Sequence, residues 1–173
     1  MRSLLWNEIM EVDNMRITVL CVGKIKESYL KEAIDEYSKR LGRYCDLDII
    51  EVDDEKTSEK ASEKEEEIVR QREGERIIKN IPDGAYVVSL AIGGKEYSSV
   101  EFAENINRLM VEGESHIVFI IGGSIGLSSE VLENSDGRVS FSRMTFPHQL
   151  MRVILLEQVY RSFRIIKGEP YHK

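Results

Sequence analysis

Cysteine, proline and long apolar runs are all scarce in this chain, and the shortages exclude several classes of protein. Its 173 residues include two cysteines, Cys21 and Cys45, too few for a disulfide scaffold and in no metal-binding or redox spacing. We therefore predict two buried, reduced thiols and no metal site. The longest apolar runs, such as 117–121, fall far short of the roughly 20 residues that a membrane span requires. A cytoplasmic protein with no membrane partner is expected.

The N-terminal residues 1–14 have no apolar core or cleavage site of the kind found in signal peptides, which argues against secretion. The first strand pattern begins only after them. We expect residues 1–14 to be a disordered, removable extension and residues 15–173 to form a single domain, because a chain of this length ordinarily builds one core.

Charge is distributed very unevenly along the chain. The net charge is −7, but residues 1–137 carry −12 and residues 138–173 carry +5. An acidic body opposes indiscriminate binding to nucleic acid, whereas a local basic segment can hold phosphates at one place. The pattern fits a selective RNA partner, and a solvated helix face carrying these arginines is the competing interpretation.

The order of strand and helix patterns predicts an α/β fold. Near-continuous apolar runs, typical of strands buried on both faces, alternate with stretches of helical spacing, and this combination indicates a mostly parallel sheet with helices on both faces. The predicted strands are 16–22, 47–52, 85–90, 116–121 and 138–142, and the predicted helices are 27–41, 98–110, 128–132 and 147–162. The acidic stretch 53–80 is expected to be an exposed helix or a mobile loop leading into one, without a catalytic role.

Three loops are predicted to form a small-molecule site. They follow apolar strands at 90–94, 122–128 and 142–147, and the carboxyl ends of parallel strands meet at one edge of the sheet. Glycines in the second loop allow the backbone to approach a flat ring or a ribose closely. The dinucleotide fingerprint Gly-x-Gly-x-x-Gly and the P-loop motif are both absent, so a nucleotide-dependent oxidoreductase ranks last.

Several motifs together resemble the ribosomal RNA large subunit methyltransferase H family, part of the SPOUT superfamily of α/β-knot methyltransferases. The resemblance covers about residues 15–173. The motifs that carry it are Val22-Gly23-Lys24, Ile121-Gly122-Gly123, Gly126-Leu127-Ser128, Met144-Thr145-Phe146-Pro147-His148, Arg152-Val153, Glu157-Gln158-Val159-Tyr160-Arg161 and Tyr171-His172-Lys173.

The resemblance implies a C-terminal deep trefoil knot that binds S-adenosylmethionine (SAM) as methyl donor, and no metal. It also implies a homodimer in which each active site borrows residues from the second subunit. The cofactor-binding positions that it implies are Leu90, Gly122, Gly123, Ser142, Arg143, Met144, Thr145, Phe146 and Pro147. Leu90, Met144 and Phe146 would supply an apolar wall, and loop backbone would recognise the adenine.

The substrate that the resemblance implies is N3 of a pseudouridine in helix 69 of 23S ribosomal RNA, methylated on assembled ribosomes. His172 is the candidate to accept or relay the N3 proton, because an imidazole ordinarily titrates near neutral pH. Arg161 is expected to hold a phosphate or an anionic ring oxygen, and Tyr171 to stack on the base. Arg152 and Arg164 are candidate phosphate contacts, with ordinary salt bridges as the alternative. A non-enzymatic ribosome-binding module is the competing function.

Overall fold

Five strands form one sheet in which every neighbouring pair is parallel. A computed structural model describes residues 15–172, so the predicted extension 1–14 and Lys173 lie outside the described residues. The strands are β1 (Arg16–Val22), β2 (Asp46–Val52), β3 (Tyr86–Glu96), β4 (His116–Ile121) and β5 (Gly137–Ser140), and the helices are α1 (Ser28–Leu41), α2 (Glu63–Lys79), α3 (Ser99–Val111), α4 (Ser129–Glu133) and α5 (His148–Ile166). The strand order is β2-β1-β4-β3-β5.

The interior strand β1 shows how the sheet is buried on both faces. Its side chains alternate between two apolar clusters, as the pleat requires. Ile17 and Val19 pack with residues of α1, α3 and α5, whereas Leu20 and Val22 pack with residues of α2 and α4. The predicted parallel α/β sheet with helices on both faces is therefore confirmed.

Both cysteines are free and buried, as predicted. Burial raises the pKa of Cys21 to about 11 and that of Cys45 to about 12. The thiolate is the reactive form, so these thiols are unreactive at neutral pH. Within residues 15–172 no cluster of histidine, cysteine or carboxylate side chains is arranged to hold a metal ion, and no helix is long and apolar enough to cross a bilayer.

The acidic stretch 53–80 contains a regular helix, α2, which begins at Glu63 rather than at the start of the stretch. Ser62 caps it: the Ser62 hydroxyl accepts from the Glu65 N–H at 3.3 Å, and the Glu65 carboxylate accepts from the Ser62 N–H at 2.7 Å. This reciprocal capping box fixes the start of the helix. One face is buried and includes Val69, Glu73 and Ile77, so α2 is not a solvated charged helix throughout.

Strand β3 runs beyond Leu90, where the sequence predicted its end. Gly93 and Gly94 were expected to form a turn, but the strand continues to Glu96. The register against β5 shifts between Leu90 and Lys95, which is a bulge in the pairing. Glycine pairs signal turns and bulges equally well, and the bulge here places Ala91 and Ile92 beside the loops that follow β4 and β5.

We expect Gly94→Ala to destabilise the protein by about 1–3 kcal/mol or more, because overpacking against backbone cannot relax easily. A Cβ at Gly94 would lie 2.6 Å from the carbonyl carbon and 2.7 Å from the nitrogen of Val139 in β5. Gly93→Ala is the matched control, since a Cβ there meets no atom within 4 Å. Urea titration of both variants checks this, and equal midpoints would contradict it.

Candidate functional site

A cavity of about 760 Å³ lies where the loops after β4 and β5 meet the bulge of β3. Such a volume is typical of small-molecule sites. It is lined by Leu90, Ala91, Ile92, Ile121, Gly122, Gly123, Ser124, Ile125, Gly126, Leu127, Val139, Ser140, Phe141, Ser142, Met144, Thr145, Phe146, Pro147, His148 and Met151. Apart from His148, none of these residues has an acidic or basic side chain, so the walls are apolar side chains, four serine and threonine hydroxyls, and uncharged backbone.

The glycine turn after β4 forms one wall of the cavity. Gly126 has a φ of +82°, a backbone conformation that residues with a side chain rarely adopt. Its N–H donates to the Gly123 carbonyl at 3.2 Å. The turn ends at Ser128, whose hydroxyl accepts from the Val131 N–H at 3.3 Å and caps α4. The turn is therefore closed by its own hydrogen bond and fixed at its far end by a helix.

The loop between β5 and α5 forms the opposite wall and is shaped by two serines. The Ser142 hydroxyl accepts from the Met144 N–H at 3.0 Å, and the Ser140 hydroxyl donates to the Ser142 carbonyl at 3.0 Å. Met144 nevertheless leaves 73% of its surface exposed. A large apolar side chain at the rim of a cavity is well placed to be covered by a ligand or by another chain.

His148, the first residue of α5, is the titratable side chain at the cavity. Burial, and next the positive charge of Arg152, lower the pKa of His148 below its usual value. The imidazole is accordingly neutral at physiological pH, with one nitrogen able to donate and the other to accept. His148 belongs to the family motif 144–148, but the sequence predicted no role for it in the site.

The structure brings most of the expected cofactor-binding residues to this cavity. Leu90, Gly122, Gly123, Ser142, Met144, Thr145, Phe146 and Pro147 line it, and Arg143 does not. Ile92, in the predicted loop 90–94, and Met151, outside the three predicted loops, also line the cavity. Neither was named as a cofactor-binding residue.

The three expected catalytic residues lie together at the C-terminal end of the chain, away from the cavity walls. Glu157 joins them: its Oε1 accepts from Arg161 Nη2 at 2.5 Å and from the Tyr171 hydroxyl at 3.2 Å. Arg161 Nη1 lies 3.2 Å from Nδ1 of His172, and its guanidinium lies 4.7 Å from the centre of the Tyr171 ring. We call Glu157, Arg161, Tyr171 and His172 the tail cluster. Glu157 was not predicted as a functional residue.

Electrostatics within the tail cluster keep it ordered. The hydrogen bond to Glu157 raises the pKa of Arg161, and burial followed by the charge of Glu157 raises the pKa of Tyr171. The guanidinium is therefore charged and the phenol neutral at physiological pH. Because a guanidinium only donates hydrogen bonds, Nδ1 of His172 is the acceptor in the contact with Arg161.

A second set of contacts fixes the tail just before the cluster. Glu169 accepts from the Tyr44 hydroxyl at 2.5 Å and pairs with Arg164, which also donates to the Pro170 carbonyl at 3.0 Å. Arg164 therefore has a salt bridge within the chain, the alternative left open beside its phosphate role. These contacts anchor the tail to α5 and to the loop after α1.

Arg152 is buried and has a salt bridge within the fold, the alternative stated beside its phosphate role, so it does not present its charge to a phosphate. Its side chain is 2% exposed and lies 2.6 Å from Glu51, while its Nη2 donates to the carbonyls of Val22 and Gly23 at 3.0 and 2.7 Å. It ties the first half of α5 to the ends of β1 and β2. The basic character of the C-terminal segment is thus partly used inside the fold.

Comparisons with known proteins agree with this architecture. Residues 15–172 match the family described as "Predicted SPOUT methyltransferase". The chain is 59% identical over 159 residues to ribosomal RNA large subunit methyltransferase H of Clostridium beijerinckii, covering 92% of this chain and 100% of that protein. The protein of the same name from Clostridium tetani is 58% identical with the same coverage.

A solved structure supports the fold at much lower sequence similarity. The tRNA (m1G37) methyltransferase from Aquifex aeolicus superposes with a TM-score of 0.54 at 13% identity, covering 93% of this chain and 75% of that one. At such identity the likeness concerns the fold alone. The match to the family over nearly the whole described chain, together with relatives near 60% identity, establishes that the chain belongs to the ribosomal RNA large subunit methyltransferase H family of SPOUT methyltransferases.

Proposed function

We propose that this protein is a SAM-dependent ribosomal RNA methyltransferase that modifies N3 of a pseudouridine in helix 69 of 23S ribosomal RNA on assembled ribosomes. The observation that carries the proposal is the 59% identity to a named ribosomal RNA large subunit methyltransferase over that protein's full length. The cavity at the carboxyl ends of the strands supplies the small-molecule site that a methyl donor needs.

The residues around the cavity fit SAM. Leu90 and Phe146 offer apolar surface for an adenine, and the glycine turn offers backbone N–H and C=O groups without side chains in the way. The neutral imidazole of His148 adds one donor and one acceptor. When bound, SAM supplies a methyl group on a positively charged sulfur. A nitrogen nucleophile can attack the methyl carbon in line with the departing sulfur.

The residues of this chain have to orient the two reactants and to handle one proton. The N3–methyl bond forms as the sulfur–methyl bond breaks, S-adenosylhomocysteine (SAH) leaves as a neutral thioether, and the N3 proton passes to a base or to water. The tail cluster carries suitable groups, which are His172 for the proton, Arg161 for the negative charge that develops on the ring oxygens, and Tyr171 for stacking.

We further propose that the active protein is a homodimer whose sites are composite. In one chain the tail cluster does not line the cavity, so a tail from a second copy is needed to bring His172 to the methyl group. Exposed apolar side chains at the cavity rim, Met144 and Ile92, favour such coverage, because each is more than half exposed in the single chain. A closed two-fold dimer would form two equivalent sites.

The proposed domain is residues 15–173, with a trefoil knot in the C-terminal half. Family membership supports the knot, and the loops that would form it, 122–128 and 142–147, are the loops that line the cavity. A knotted backbone would hold both loops together without further cross-links. Residues 1–14 would be removable, and the expected result of their deletion is a protein that is still a dimer by light scattering, with a mass lower only by the deleted residues.

Methyl transfer from labelled SAM to ribosomes tests the proposed function. Ribosomes lacking the N3 methyl group are compared with free 23S ribosomal RNA and with ribosomes that carry uridine in place of the pseudouridine, and the product nucleoside is identified by mass spectrometry. Label in N3-methylpseudouridine on ribosomes is expected. SAM binding without transfer to any of these RNAs would overturn the substrate assignment, and the competing ribosome-binding module predicts neither transfer nor SAM binding.

A further inference from the structure

Glu73 of α2 is a buried carboxylate directly behind the glycine wall of the cavity. Its side chain is 4% exposed. One oxygen, Oε1, accepts from the Glu55 N–H at 3.0 Å, and the other, Oε2, has no hydrogen-bond partner. A Cβ built on Gly123 would lie 3.1 Å from Oε2, so this oxygen lies against the backbone of Gly123, a residue that lines the cavity.

Charges around Glu73 do not cancel it. Asp54 and Glu55 face the same region and are also negative, and the nearby arginines are already paired. Arg76 and Arg72 pair with Glu55, while Arg70, which also donates to the Ile125 carbonyl of the glycine turn at 3.4 Å, pairs with Glu66 and Glu67. On the cavity side, the lining residues carry no acidic or basic group besides the neutral His148. The field of the Glu73 carboxylate therefore reaches the cavity across a polypeptide layer with no compensating charge in the lining.

We propose that Glu73 favours a positively charged methyl donor over its neutral product in this cavity. The inference rests on the proposed use of SAM. SAM carries a sulfonium cation and SAH a neutral thioether, and the two otherwise share the same groups. A negative charge held just behind the wall stabilises the first selectively, acting through space as a positioning group rather than by contact. After transfer the attraction is lost, which promotes product release.

The cost of keeping Glu73 buried fits a functional role. Burial raises the pKa of Glu73 above its ordinary value, which means that the folded protein disfavours the ionised form. The stability contributed by this group is full below the ordinary glutamate pKa and is lost as the pH rises through the raised pKa. Replacing Glu73 by glutamine, a neutral residue of similar shape, would remove this loss of folding stability at higher pH.

The test compares Glu73→Gln with Glu75→Gln, which removes the same charge from an exposed position on the same helix. Dissociation constants for SAM and SAH are measured by calorimetry at pH 8, and sinefungin, whose amine gives it a positive charge in place of the sulfonium, serves as a second cation. Glu73→Gln is expected to weaken SAM and sinefungin about tenfold and SAH less than about twofold, the scale of one uncompensated charge at a protein-like dielectric. Glu75→Gln should change none of them.

Each result is decisive. An equal loss for SAM and SAH would give Glu73 a merely structural role, and unchanged affinities would mean that its charge does not reach the cavity; either overturns the inference. Failure of the wild-type protein to bind SAM or SAH would instead overturn the proposed function. Thermal melts guard against misfolding: Glu73→Gln should be at least as stable as wild type at pH 8, with the difference shrinking as the pH falls toward the ordinary glutamate pKa.

Discussion

Replacing His172 by alanine is expected to slow methyl transfer to ribosomes by about 10²- to 10⁴-fold, the usual contribution of a positioned proton-transfer group. His172 is exposed and lies 11 residues along the chain from Arg161, its hydrogen-bond partner, so its loss removes little packing. Single-turnover rates on ribosomes measure the effect, with SAM affinity as the control that should not change. A wild-type rate in the variant would contradict a proton role.

The contact between His172 and Arg161 makes it possible to distinguish a proton acceptor from a residue that only forms hydrogen bonds. Nδ1 of His172 is occupied by the Arg161 donor, so the free nitrogen, Nε2, carries a proton and donates. To accept the N3 proton, His172 must exchange this contact for the substrate. Glutamine can mimic the Nε2 donor but cannot act as a base. If His172 is the proton acceptor, His172→Gln is as slow as His172→Ala, whereas a rate near wild type would assign His172 to hydrogen bonding alone.

Mixing two inactive variants tests whether the His172 that acts comes from the second chain. Thr145→Trp is expected to fill the cavity with little strain, because Thr145 lies exposed at the rim. In a mixed dimer the Thr145→Trp chain supplies an intact tail and the His172→Ala chain an intact cavity. Random pairing should restore about a quarter of the wild-type activity for two-fold composite sites. No recovery after subunit exchange would show that each chain uses its own tail.

Replacing Arg152 by alanine is expected to lower the free energy of unfolding by about 2–5 kcal/mol, because a large buried side chain is removed and two buried backbone carbonyls lose a charged donor. Three acceptors lose their donor: the Glu51 carboxylate and the carbonyls of Val22 and Gly23. In a chain of this size the loss corresponds to roughly 10 °C in melting temperature. Urea titration of the full chain gives the value directly.

Arg108→Ala is the matched control for Arg152→Ala. Arg108 also pairs with a glutamate, Glu112, at 2.7 Å, but both side chains are about half exposed. Exposed pairs of this kind contribute about 0.2–1 kcal/mol. Similar losses in the two arginine variants would mean that the Arg152 network is as weak as a surface pair.

Sequence patterns predicted the elements whose signals are local. Strands β1 and β4 were predicted with their observed ends, because each is a continuous apolar run closed by glycine. Strand β3 was predicted too short because Gly93 and Gly94 are typical of a turn, and only pairing with β5 makes them a bulge. A glycine whose missing side chain makes room for a neighbouring strand cannot be recognised without that strand.

For charged residues, the sequence pattern does not predict which side chains are buried. Arg152 was a candidate for either a phosphate contact or a salt bridge, and the choice depends on Glu51, 101 residues away in the sequence. Glu73 sits in an acidic stretch in which the burial of one carboxylate has no local signal. The catalytic candidates of the tail cluster came from family resemblance, since Arg161 and His172 have no spacing that by itself predicts chemistry. A local sequence pattern carries no information about contacts between segments that are distant along the chain.

The contacts of Glu169 and Tyr171 order the C-terminal tail when the protein folds, so its backbone entropy is lost during folding rather than during binding. Residues 169–172 are held through Glu169 and Tyr171 before any RNA arrives. Fixing the backbone of a free segment takes about 1–2 kcal/mol per residue, and a disordered tail would lose several kcal/mol of its binding energy on becoming ordered. For the proposed ribosomal substrate, the encounter would then begin with a tail that is already held in place, and less affinity would be lost to ordering it.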